Sequence, residues 1–185
     1  MQKLRIPGRF ELPPLSRLRA PALALALPFL AAFGLCEWGG LRLNSTGSLP
    51  LGLYRVSTAA EANLAEFCPP EPYSGLSVVR QYRNPGTCHD GDSPLLKPIV
   101  ARPGDVVVLS KSGLQVNGVL LRNTAPRSQD SKARPLPHYP FGTYRVSAGN
   151  VWVASSYHPL SFDSRYFGPI PTSIIRHRLK PFLTL

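Results

Sequence analysis

The sequence lacks the short motifs that mark the most common enzyme sites. It contains no G-x-S-x-G nucleophile elbow, no H-E-x-x-H pair and no glycine-rich phosphate loop, which excludes the commonest hydrolase and nucleotide-binding classes. Cysteine is rare, because the chain has only 3, and their spacing does not match a zinc site. We therefore expect no metal ion and no other cofactor.

Charged residues are scarce as well, at 17 % of the 185 residues, whereas proline and glycine are abundant, at 21 and 15. This composition favours a mostly β fold rich in turns over a helical bundle. The length allows one domain of ordinary size besides an anchor segment. The formal net charge of +11 is spread along the chain without a tight basic block or an aromatic stacking motif, so we expect no nucleic-acid partner.

Residues 20–36 carry no charge, and this length is at the short limit for a helix that crosses a bilayer. A basic leader, residues 1–19, precedes them and Trp38 follows, which is typical of a cytoplasmic N-terminus and an interfacial aromatic. The alternatives are a buried core helix and a cleaved signal peptide, but no clear cleavage site follows the apolar run. We expect an uncleaved anchor in the cytoplasmic membrane, a linker at 37–43, and residues 37–185 as a periplasmic domain.

Two of the three cysteines are placed where they could be oxidised. Outside the cytoplasm, Cys68 and Cys88 could form a disulfide that contributes about 3 kcal/mol by closing the loop between them. The alternative is a pair of free, buried thiols. Cys36 lies at the expected membrane boundary, and we expect it to be unpaired.

Hydrophobic patterning predicts short strands separated by turns. The pair Asn117-Gly118 is a strong type I′ hairpin signal. The Ala/Glu-rich residues 58–68 could form one or two helical turns, and the polar, proline-bearing residues 122–139 predict a long surface loop. The expected strands are a run that ends at Val56, then residues 95–100, 106–109, 114–116, 119–121, 143–146 and 151–154, and a last strand from Ile174.

Histidine and lysine are both scarce, and their surroundings decide which could act as a general base. The 4 histidines lie in loop-like or exposed contexts without a triad motif. Of the five lysines, Lys97 alone lies in apolar sequence, with Leu95 and Ile99 on its face if the segment is a strand. Such surroundings can lower a lysine pKa from about 10.4 towards neutrality. The alternative is a lysine at a strand edge with its amine in water, and Pro98 favours an edge or bulged strand because it lacks an N–H.

Three ordered motifs follow the uncharged segment. Residues 44–54 read N-x-T-x-S-x-P-x-G-L-Y, residues 97–105 contain K-x5-P-G-D, and residues 161–169 read S-F-D-S-R-Y-F-G-P. They resemble the nucleophile motif, the general-base motif and the last box of the TraF-type conjugative-transfer peptidases, a branch of the type I signal peptidase family. The C-P-P run at 68–70 is also similar to this branch.

The resemblance implies an antiparallel β-sheet domain of the signal-peptidase type and a serine endopeptidase with a Ser/Lys pair. On it, Ser48 would be the nucleophile and Lys97 the general base that later protonates the leaving amine. The amide of Ser48, with the hydroxyl of Thr46, would supply oxyanion donors. Ser161 would orient Lys97.

For Asp163 the resemblance leaves two roles open. The TraF branch suggests that this aspartate acts with the Ser/Lys pair, whereas the wider family suggests a structural ion pair with Arg165. The sequence also departs from the wider family, because residues 155–157 read Ser-Ser-Tyr in place of Gly-Asp-Asn and Pro98 stands where arginine is usual.

The resemblance further implies a conjugative pilin precursor as substrate, within the machinery of conjugative transfer and type IV secretion. Either water or the pilin's own N-terminal amine could accept the acyl group, and the second outcome would give a cyclic pilin. Ser48 follows the expected anchor closely enough to stay within about 40 Å of the membrane. The alternatives are a general type I signal peptidase and a non-catalytic, membrane-anchored scaffold of a secretion apparatus.

Overall fold

Strands dominate the computed structural model, which describes residues 40–59 and 61–185. Two short α-helices and one 3-10 turn at Thr172–Ile174 accompany the strands in this part of the chain. The helices are α1 (Tyr73–Val79) and α2 (Ser164–Phe167). The strands are β1 (Leu41–Asn44), β2 (Gly52–Val56), β3 (Leu64–Phe67), β4 (Leu95–Ala101), β5 (Val106–Ser110), β6 (Gly113–Val116), β7 (Val119–Leu120), β8 (Gly142–Arg145), β9 (Asn150–Val153), β10 (Ile170–Pro171) and β11 (Ile175–Thr184).

The strands form two sheets. The larger has the order β1-β2-β11-β3-β4-β9-β10, and the smaller has the order β7-β6-β5-β8. All of their pairings are antiparallel. The expected mostly β, antiparallel architecture is therefore confirmed.

The core of the larger sheet follows from period-2 alternation in β4. Every second residue of this strand is buried, beginning with Leu95. Leu95 and Ile99 pack with Phe67, Phe162 and other apolar side chains in one cluster. Lys97 lies between them in the same alternation, so the strand carries its amine into the protein interior.

The smaller sheet begins with the hairpins that the sequence predicts. Asn117 and Gly118 have φ values of 49° and 84°, as a type I′ turn requires at both central positions. They join β6 to β7 beside β5. On the inner face, Val107 and Leu109 pack with Trp152, which lies on β9 of the larger sheet.

Two expectations about local structure are wrong. The described residues between 58 and 68 form no helix, because β3 lies between β11 and β4, which satisfy its backbone on both sides. The segment expected as a linker contains the start of β1, which pairs with β2. Of the two alternatives that Pro98 favours, the bulged strand is confirmed and the edge strand is not, because β4 is interior to the sheet.

Pro98 fits inside the sheet because β4 is bulged. Its carbonyl accepts a hydrogen bond from Ala154 N at 3.0 Å, so its nitrogen also faces the β9 side. On that side the pairing register shifts between Ile99 and Ala101. The missing N–H therefore falls where the ladder is irregular, which is where a sheet tolerates proline.

None of the described helices combines the length and the apolar character that a membrane span requires. The leader expected at 1–19 and the anchor expected at 20–36 lie outside the described residues, as does Cys36.

Candidate active site

The candidate nucleophile lies on a turn that one buried side chain organises. Asn44, at the end of β1, donates from Nδ2 to the carbonyls of Thr46, Leu49 and Pro50 at 3.0, 3.2 and 3.1 Å. Its Oδ1 accepts hydrogen bonds from the amide and the hydroxyl of Thr46 at 3.3 and 2.8 Å. This short-range network holds the turn together, and Ser48 lies half-buried within it.

Lys97 brings its amine to this turn from β4. Its Nζ lies 2.6 Å from Ser48 Oγ and 2.9 Å from Ser161 Oγ. The residue is only 3 % exposed. The structure thus brings together the three residues that the resemblance assigns as nucleophile, base and base-orienting serine, although they lie on three separate segments of the chain.

Burial changes the chemistry of this lysine. It lowers the pKa of Lys97 from 10.5 to about 8, because desolvation disfavours the charged ammonium. The negative charge of Asp163 acts in the opposite direction and raises this pKa, whereas the positive charge of Arg165 lowers it. The amine is therefore neutral in a substantial fraction of molecules near pH 8, and a neutral amine can accept a proton.

Asp163 forms an ion pair with Arg165, and both side chains are fully buried. The Nε and Nη2 atoms of Arg165 donate to the two carboxylate oxygens at 2.8 and 2.9 Å. The backbone amides of Arg165 and Ser155 also donate to this carboxylate, at 3.2 and 3.1 Å. Within the described part of the chain Asp163 has no hydrogen bond to Lys97, so its placement favours the ion-pair role.

The expected oxyanion donors differ in their availability. The amide of Ser48 has no hydrogen-bond acceptor among the described residues. The hydroxyl of Thr46 already donates to Asn44 at 2.8 Å. Thr46 would therefore have to exchange this bond before it could donate to an oxyanion, whereas the Ser48 amide would not.

The histidines lie outside this arrangement. Their described hydrogen bonds go to neighbouring backbone atoms or to Glu66, and none goes to Ser48 or Lys97. No described group of three or more histidine, cysteine, aspartate or glutamate residues could hold a metal ion. His138 contacts the carbonyl of Tyr139, His158 accepts from the amide of Leu160, His177 contacts Glu66, and His89 is exposed.

The sequence model of the family described as "Signal peptidase, peptidase S26" matches residues 41–182, which include the whole of this site. The chain belongs to the peptidase S26 family. It is thus a serine peptidase with the signal-peptidase type of fold, as the three motifs imply.

Individual relatives place this peptidase among the TraF proteins. It is 37 % identical over 167 residues to "Plasmid transfer protein TraF" of Escherichia coli, which covers 86 % of this chain and 90 % of that protein. It is 34 % identical to "Probable conjugal transfer protein TraF" of Sinorhizobium fredii, over 88 % of both chains. A signal peptidase I structure from Enterococcus faecalis matches 68 % of this chain and 99 % of its own at 18 % identity, with a TM-score of 0.37. The resemblance to the TraF branch is confirmed.

Two residues of the peptidase site escaped the sequence argument. Asn44 stands at the start of the nucleophile motif, but nothing in the sequence indicated that its side chain holds the turn. Ser155 is fully buried, and its hydroxyl donates to the backbone carbonyl of Ser48. Its only signal in the sequence is the departure from the usual glycine at this position.

A disulfide joins Cys68 to Cys88, with Cα atoms 5.8 Å apart. The loop that it closes contains α1 and packs against the peptidase site, because Tyr82 contacts Phe162 with ring centroids 5.2 Å apart. Phe162 is the neighbour of Ser161 in the chain. The disulfide-bonded loop therefore packs against the segment that carries Ser161, a hydrogen-bond partner of Lys97.

Proposed function

We propose that this peptidase cleaves peptide bonds with Ser48 as nucleophile and Lys97 as general base. The observation that carries the proposal is the 2.6 Å distance between Lys97 Nζ and Ser48 Oγ, together with the 3 % exposure of the lysine. A serine hydroxyl is a weak nucleophile unless an adjacent base accepts its proton. Here the base is within hydrogen-bond reach, and burial lowers its pKa to about 8.

In the first half of the reaction, Ser48 Oγ attacks the scissile carbonyl carbon and its proton passes to neutral Lys97 Nζ. The negative charge that develops on the substrate oxygen is stabilised by the amide of Ser48. The C–N bond then breaks, and the Lys97 ammonium returns its proton to the leaving nitrogen. The products of this half are the new amine terminus and an acyl ester on Ser48.

In the second half, water or an amine attacks the ester carbon. Lys97 removes a proton from the attacking group and delivers it to Ser48 Oγ as the ester bond breaks. Water yields a linear product with a free carboxylate. The substrate's own N-terminal amine yields a cyclic product, so one site supports both outcomes.

We propose a conjugative pilin precursor as the substrate and the cytoplasmic membrane with the conjugative transfer machinery as the setting, with the catalytic domain in the periplasm. Support comes from the plasmid and conjugal transfer names of the relatives and from the uncharged segment at 20–36. A precursor emerging from a membrane would meet a nucleophile that lies shortly after this segment. The disulfide is consistent with an oxidising compartment.

The test uses the full-length chain in membranes together with a candidate conjugative pilin precursor. Ser48→Ala and Lys97→Met should each abolish processing and leave the thermal unfolding transition cooperative. Lys111→Met, at an exposed lysine, is the matched control and should process normally. Processing by either active-site variant would contradict the proposal.

The mass of the product separates the alternatives. A product one water lighter than the cleaved linear pilin indicates cyclisation, and the linear mass indicates hydrolysis. Cleavage of ordinary secretory precursors in the same membranes would instead indicate a general signal peptidase. If conjugation proceeds unchanged with both active-site variants, the chain acts as a scaffold.

A further inference from the structure

We propose that Ser155 is a positioning residue that fixes the backbone of the nucleophile. The inference rests on the proposed function, because it takes Ser48 as the attacking group. Ser155 lies two residues after the end of β9 and is fully buried. Its hydroxyl donates a hydrogen bond to the carbonyl oxygen of Ser48, across 107 positions of sequence.

Ser155 is itself held on two sides. Its Oγ accepts a hydrogen bond from the amide of Tyr157 at 3.0 Å, so the hydroxyl proton is directed towards Ser48. Its own amide donates to Oδ2 of Asp163 at 3.1 Å. The serine therefore links the backbone of the nucleophile to the buried ion pair of Asp163 and Arg165.

The same ion pair also reaches the base. Arg165 Nη2 donates to the carbonyl of Ser161 at 2.7 Å, and the hydroxyl of Ser161 accepts from Lys97 at 2.9 Å. Two serines thus connect one fully buried ion pair to the two reacting groups, Ser155 on the nucleophile side and Ser161 on the base side.

This arrangement gives Ser155 an effect that differs from that of Ser161. Ser155 contacts the backbone of Ser48 and has no described hydrogen bond to Lys97, so its loss should move the nucleophile while the burial and the charged neighbours that shift the pKa of Lys97 stay the same. Because Ser155 is buried behind Ser48, it does not form part of the surface that a substrate touches. Its loss should reduce kcat and leave KM unchanged, since a displacement of about 1 Å in a reacting group can reduce a rate about 100-fold.

The experiment compares Ser155→Ala, Ser155→Thr and Ser155→Val in the full-length chain, with Ser156→Ala as control because that neighbouring side chain is exposed. Processing of a conjugative pilin precursor is measured over a range of pH well below the unfolding temperature of each variant. Ser155→Ala should lower kcat about 10- to 100-fold with KM within about twofold of the wild type. Its kcat should still rise with pH through the same pKa as in the wild type.

The Thr and Val variants separate the hydroxyl from packing, because they have the same shape and only Thr keeps the donor. The kcat of Ser155→Thr should exceed that of Ser155→Val by about the same factor as the kcat of the wild type exceeds that of Ser155→Ala. If Ser155→Ala does not fold, the comparison of Thr with Val tests the proposal by itself. Equal activities of Thr and Val, a kcat of Ser155→Ala within twofold of the wild type, or a pH profile shifted towards that of free lysine would each overturn the proposal. Ser48→Ala in the same assay tests the proposed function separately, because only its continued activity would contradict the role of Ser48.

Discussion

Replacing Lys97 by methionine tests how far the protein interior lowers the pKa of this lysine. The lysine is 3 % exposed, and burial lowers its pKa from 10.5 to about 8. Methionine has nearly the same length and binds no proton, so it removes the titration while keeping most of the packing. The free energies of unfolding of the two proteins should therefore diverge with pH.

The sign follows from the protons that each state binds. Below about pH 8 both the folded and the unfolded chain carry a protonated Lys97, so the folded wild type bears the full penalty of burying the ammonium. Between about pH 8 and 10.5 the unfolded chain binds more protons, so the wild type gains stability as the pH rises. At about 1.4 kcal/mol for each pKa unit, the gain relative to Lys97→Met is about 3 kcal/mol.

The assay is equilibrium urea unfolding of the full-length chains between pH 7 and pH 10.5, a range that includes both pKa values. Unfolding is monitored by the fluorescence of the buried Trp152. Other groups titrate alike in both proteins and cancel in the difference. Lys111→Met, at an exposed lysine, is the control and should follow the wild-type curve. A difference between wild type and Lys97→Met that stays constant over this pH range would refute the idea of a desolvated base.

The remaining predictions concern activity, the disulfide and the ion pair. The kcat/KM for a pilin precursor should rise with pH through a pKa of about 8, because neutral Lys97 is the active form; a plateau reached only above about pH 10 would contradict this. The Cys68→Ser/Cys88→Ser variant should lose about 3 kcal/mol in urea unfolding, since its unfolded chain is no longer constrained, and a loss below about 1 kcal/mol would argue against a constraining role. Asp163→Asn should lose about 3 to 5 kcal/mol by leaving the buried Arg165 unpaired, and an unchanged urea midpoint would show that the pair is dispensable.

Elements with a strong local period were predictable from the sequence. The alternation around Lys97 placed Leu95 and Ile99 on its own face, and the structure buries all three residues. The Asn117-Gly118 hairpin was predictable because few residues accept positive φ at both turn positions. In these segments the local pattern and the tertiary structure favour the same conformation.

The rest depended on distant partners. The sequence around Ala65 and Glu66 resembles a helix, yet these residues form β3 because β11 and β4 pair with them from both sides. Pro98 favoured either an edge or a bulged strand, and the choice between them depends on β9, which follows much later in the chain. Tertiary pairing overrides a weak local preference in the first case and selects between two alternatives in the second.

Only part of the candidate site could be predicted from the sequence, for the same reason. The surroundings of Lys97 marked it as an unusual lysine, but its partnership with Ser48 came from the family resemblance and not from any local signal. The contact between Ser155 and Ser48 joins residues 107 positions apart. A hydrogen bond of that kind has no periodic signature in the sequence.

The turn that Asn44 holds has a consequence for the stage of folding at which the peptidase could become active. The contacts of this turn are local in sequence, whereas Lys97 lies 49 positions from Ser48. Closing the loop between distant residues costs more chain entropy than forming a contact between near neighbours in sequence. If Ser48 and Lys97 act as proposed, a chain whose turn has formed while Lys97 is still distant from Ser48 would have no proteolytic activity. The onset of proteolysis during refolding would then report when this long-range contact forms.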